Sequence, residues 1–85
     1  MSMNAVEILT HVNDVITTPI PSNDVLFGTA EYICSQAYTL EDQRIASMQI
    51  ERLQYLQDFY SKDYNNEFFD LQSSLRTRML TAAND

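Results

Sequence analysis

After Gly28 the chain has no further glycine and no proline, and a single apolar row follows a helical repeat through most of that length. The row reads Ala46, Ile50, Leu53, Leu56, Tyr60, Tyr64, Phe68, Leu71, Leu75 and Met79. Every gap is three or four residues, and the mean is about 3.7, the repeat of one α-helical face. An unbroken helix of about 40 residues would be ~60 Å long, roughly twice the width of a small domain. A chain of 85 residues cannot cover such a helix with what remains of it. The row must therefore fold back on itself or be buried against another molecule.

The rest of the chain also reads as helix, so the expected fold is all-α with three to four helices in one small domain. Asn4 and Glu7 stand at capping-box spacing. Ala5, Ile8, Leu9, Val12, Val15 and Ile16 follow at helical spacing and predict a helix over about residues 4–17. The β-branched run Val15-Ile16-Thr17 leaves a short strand as an alternative there. Pro19 and Pro21 end the helix and make residues 18–23 a turn. A second helix is expected over about 24–38, capped from Ser22 to Asp24 and buried through Leu26, Phe27, Ala30, Ile33, Cys34 and Ala37. Gly28 lies inside it and marks either a close helix crossing or a break. Thr39 and Asp42 form a new cap for the long segment, residues 40–82. Its weak point is Ser61-Lys62-Asp63-Tyr64-Asn65-Asn66, where Asn and Asp side chains compete for backbone hydrogen bonds. The segment is thus either one long helix or a hairpin joining 40–61 to 66–82, and the hairpin lets the chain cover its own row.

Charge is uneven. The formal net charge is −7. Residues 1–43 hold Glu7, Asp14, Asp24, Glu31, Glu41 and Asp42 with no Lys or Arg, and the remainder is close to neutral. Direct nucleic-acid binding is disfavoured, because phosphate contacts need clustered cations. Asp14, Asp24 and Glu31 are instead candidates for an acidic face presented to a basic protein partner. No apolar run approaches the ~18 residues of a membrane span, and the N-terminus lacks a basic-then-apolar leader. The expectation is a protein made in the cytoplasm, with signal-independent export or assembly into a larger complex left open.

Catalytic signals are sparse, and no enzyme activity, cofactor or metal is expected. His11 is the only histidine, and Cys34 the only cysteine. Cys34 reads as a small buried residue, since its nearest charged sequence neighbour is Glu31 and a reactive thiol needs positive charge beside it. Asp63, Glu67 and Asp70 are spaced i, i+4, i+7, but the pattern is nonspecific and Lys62 adjoins it. More informative is the aromatic cluster Tyr55, Phe59, Tyr60, Tyr64, Phe68 and Phe69, which one helical face cannot hold. Aromatics on two faces point to burial on two sides, in a bundle or at an interface.

Leu53-Gln54-Tyr55-Leu56-Gln57, Asp63-Tyr64-Asn65 and Ser73-Ser74-Leu75-Arg76-Thr77-Arg78, with Pro21-Ser22-Asn23-Asp24-Val25-Leu26-Phe27 upstream, resemble type III secretion inner-rod proteins and the related needle subunits. The chain differs from them in lacking a proline-containing turn between its last two helices and in ending on Asn84-Asp85. The resemblance implies a polymerising secretion subunit, with Tyr60, Tyr64, Phe68, Leu71, Leu75 and Met79 as the interface to protein partners or further copies. The alternatives are an acidic phage- or mobile-element-type inhibitor or adaptor of a basic target, and a secretion chaperone.

Overall fold

The computed structural model describes residues 3–60 and 67–84. They form four helices: α1 (Ala5–Ile16), α2 (Asn23–Gln36), α3 (Leu40–Tyr60) and α4 (Glu67–Asn84), with no strand among the described residues. The fold is all-α. Val15 and Ile16 are helical, so the strand alternative is set aside.

Local chemistry sets most of the helix starts. The Asn4 side chain accepts from the Glu7 N–H at 2.9 Å, and the Glu7 carboxylate accepts from the Asn4 N–H at 3.5 Å. Ser22 Oγ accepts from the Val25 N–H, and Thr39 Oγ1 from the Asp42 N–H. Each removes an orphan donor from a first turn, worth about 1 kcal/mol. At the end of α1 the Thr17 and Thr18 hydroxyls donate to the carbonyls of Asn13 and Asp14. Ile20, between the two prolines, has φ of 50° and is exposed. A β-branched residue in that region is strained by about 1–2 kcal/mol. Its neighbour Pro21 is buried.

Alternation of direction follows from contacts between helix ends. The Met3 N–H donates to the Gln36 carbonyl, and the His11 and Tyr32 rings lie 5.5 Å apart, so α1 and α2 run antiparallel. Phe27 meets Phe68 edge-on at 5.2 Å, while Arg78 reaches Cys34 and Ala37, so α4 runs parallel to α2. Ser47 and Gln72 tie α3 to α4 through two bonds of 3.0 Å, hydroxyl to amide oxygen and amide nitrogen to the Ser47 carbonyl. The arrangement is up-down-up-down. α2 and α3 each touch all three other helices, and α1 and α4 do not touch each other. The bundle is accordingly flat, 40 × 25 × 16 Å along its principal axes.

This geometry decides the long segment. α3 and α4 are separate helices packed together, so the single continuous helix is ruled out. The expected turn over 61–66 lies outside the described residues. The core holds Ile8 and Val12 from α1, Leu26, Ala30, Ile33 and Cys34 from α2, Ala46, Ile50 and Leu53 from α3, and Phe68 and Leu75 from α4. Gly28 is neither a crossing nor a break: α2 continues through it, and a Cβ placed there would meet nothing within 4 Å.

Candidate functional site

Among the described residues of the row Tyr60 to Met79, those of α4 turn toward the core. Phe68 and Leu75 are fully buried within the chain, and Leu71 and Met79 pack against the same core. Phe68 and Leu75 thus serve the bundle's own core and are not open to a second molecule, while Leu71 and Met79 stay half-buried at its edge. The physical reason is that α2 and α3 flank α4 and supply the apolar surface a second copy was expected to supply. Tyr60 is half-exposed at the end of α3, and Tyr64 lies outside the described residues.

The expected apolar row also leaves the core before α3 ends. The face of α3 turned inward is Gln43, Ala46, Gln49, Ile50, Leu53 and Gln57. Gln57 is 2% exposed, and its Nε2 has no hydrogen-bond partner. Meanwhile Leu56 is only half-buried, and Tyr55 and Phe59 are 70% and 80% exposed. An orphaned amide inside and two aromatic rings outside invert the usual pattern, and such local conflicts mark functional positions.

The outward rings form an ordered surface. Met48, Tyr55 and Phe59 stand at i, i+7 and i+11, so they share one face of α3, opposite the core. Tyr55 and Phe59, with Ile16 of α1, Arg52 and Leu56, line an open groove of about 520 Å³. A second depression beside it is lined by Glu51, Gln54, Tyr55 and Asp58, so Tyr55 separates an apolar trench from a row of two carboxylates. Arg52 Nη1 donates to Gln49 Oε1 at 2.6 Å, which holds the guanidinium toward the Gln49 side of the helix.

Asp14, Asp24 and Glu31 are all exposed. Asp24 and Glu31 share a face of α2 at i, i+7, and Asp14 belongs to the last turn of α1. Of the other front-half acids, Glu7 and Glu41 are exposed and Asp42 is half-buried. Among the described residues no three His, Cys, Asp or Glu side chains converge as a metal site. Asp63 of the carboxylate triplet lies outside those residues. No described helix is long and apolar enough to cross a membrane.

Cys34 is buried, and sequence reading missed its neighbour. Arg78, 44 residues away in the chain, donates from Nη1 to the Cys34 carbonyl at 2.8 Å and approaches Sγ at 3.5 Å. Its Nη2 donates to the Ala37 carbonyl at 2.7 Å. Burial pushes the thiol pKa up, and the guanidinium offsets part of that rise. The thiol therefore stays protonated at neutral pH, and the arrangement closes a helix end without activating a nucleophile. No signal in the local sequence pairs these residues. Comparison with known protein families, characterised proteins and solved structures finds no match for this chain.

Proposed function

We propose that the protein is a non-enzymatic interaction module, an acidic adaptor or inhibitor that engages a basic surface of a partner protein. The carrying observation is that the front half of the chain holds six carboxylates and no cation, and all but the half-buried Asp42 face solvent. Such a field raises encounter rates with a cationic partner and repels nucleic acid. The polymerising-subunit reading, as in a secretion rod, rested on an apolar row open to further copies. Phe68 and Leu75 of that row lie in the core of a single chain, which favours the adaptor reading.

The test is capture from an extract of the cells that make the protein, comparing the wild type with the D14K/D24K/E31K variant. The expected result is a Lys- and Arg-rich protein held by the wild type, released by added DNA or RNA, and lost by the variant. Equal capture by both chains refutes the reading. Large species growing with concentration in light scattering would restore the assembling subunit.

A further inference from the structure

We propose that α4 is a detachable strap: it lifts from α2 and α3 as a unit while α1, α2 and α3 stay folded, and so gates access to Cys34 and the C-terminal end of α2. This motion is independent of the acidic face and of any partner held there. α4 touches α2 and α3 but not α1. Among its described residues only Phe68 and Leu75 are fully buried. Its other ties are polar. Gln72 makes two bonds to Ser47, and Arg78 donates to the carbonyls of Cys34 and Ala37. Ser47 thereby marks the line of α3 that faces α4. Gln43, Ile50, Gln54 and Gln57 share that line at helical spacing, with Ile50 its one apolar member. Gln43 Oε1 and Gln57 Nε2 are buried without a hydrogen-bond partner, a cost that water relieves once the line opens. A polar seam exchanges its hydrogen bonds for those of water at little net cost, whereas an apolar seam has no such exchange. α1, by contrast, docks through Ile8 and Val12, with Val15 and Ile16 packed against the same core. Ile8, Val12, Ala30, Ile33, Ala46 and Leu53 therefore still share an interior with α4 away. A helix of 18 residues freed of its neighbours is marginal in water, so α4 loses its amide protection when it lifts. Arg78 is the latch. Its Nη1 lies 3.5 Å from Cys34 Sγ and leaves with α4, which uncovers the thiol.

The experiment is native-state amide hydrogen exchange of the full chain by NMR, with alkylation of Cys34 by iodoacetamide as a second readout. The Leu75 and Met79 amides are expected to exchange as one group, about tenfold or more faster than those of Ile33 and Leu53. Two variants separate lifting of α4 from unfolding of the whole chain. Ile8 is remote from α4, so Ile8→Val weakens the three-helix unit without touching the strap. It should speed exchange at Ile33 and Leu53 about fivefold. It should leave Leu75, Met79 and the alkylation of Cys34 within about twofold of the wild type. Phe68→Leu weakens the docking of α4, which is lost both on lifting and on unfolding. It should speed both groups of amides and the alkylation of Cys34 about tenfold. Equal protection of α4 and the other helices in the wild type overturns the proposal. So does acceleration of Leu75 and Met79 by Ile8→Val to the same degree as Ile33 and Leu53, because the four helices then open only together.

Discussion

Replacing Arg78 by methionine should destabilise the bundle more than any other change of comparable exposure. The last carbonyls of a helix have no intrahelical donors and carry the negative end of its dipole. α2 has no basic residue in its own last turn, and Ala37, its C-cap, has left helical geometry. Arg78 of α4 fills that gap with two bonds, 2.8 Å to Cys34 O and 2.7 Å to Ala37 O. A hydrogen bond to a charged group contributes about 1.5–3 kcal/mol. Arg78 is half-buried, and Gln43 Nε2 also reaches Ala37 O at 3.4 Å, so one acceptor keeps a weak partner. The loss expected for Arg78→Met is therefore ~2–3 kcal/mol, below the full sum of two charged bonds. Methionine keeps much of the apolar stem, which isolates the guanidinium. In a domain of this size that corresponds to a fall in Tm of roughly 10–20 °C. Urea and thermal unfolding followed by circular dichroism measure it directly. Arg78→Lys should recover about half, because an ammonium keeps the charge but not the two-pronged geometry. An Arg78→Met variant within ~0.5 kcal/mol of the wild type would refute the clamp, that being the usual effect of a surface change.

Three further outcomes follow from the same structure. Gly28→Ala should stabilise the protein by about 0.5–1 kcal/mol in urea unfolding, since the added Cβ meets open space and the helix loses less entropy on folding. Gln57→Met should stabilise it by about 1–2 kcal/mol, because it removes an unpaired buried amide at nearly constant volume; a loss of stability in the same assay would mean the amide has a partner. Cys34 should alkylate far more slowly in the folded chain than in denaturant. Its folded pKa is raised, so its contribution to stability is fully present below the unfolded thiol value of 9.0 and declines as pH rises above it, which pH-dependent unfolding between neutral pH and about 10 would reveal.

Much of the secondary structure was legible because its causes are local. Asn4 with Glu7, Ser22 and Thr39 announce their helices through side chains three residues from the N–H they satisfy. Pro19 and Pro21 mark the first turn because they supply no donor. The burial of Ile8, Val12, Ile33 and Leu53 follows from spacing on one face. The aromatic cluster was legible as a set but not by fate. Phe68 went into the core against Phe27, whereas Phe59 and Phe69 stayed outside. Periodicity assigns neighbours to a face without saying which face meets which helix.

The sequence by itself determined helices, their caps, the acidic front and the absence of cationic clusters, since each depends on residues within a turn or two, or on a simple count. Only the tertiary structure decided that α4 returns along α3, which turned an apparent intermolecular row into core. It also decided that Arg78 closes α2 across 41 residues, and that α3 buries Gln57 while offering Tyr55 and Phe59 to water. Those outcomes depend on how four helices with imperfect faces share one interior, and the best joint packing leaves some residues on sides their own helix would not have chosen.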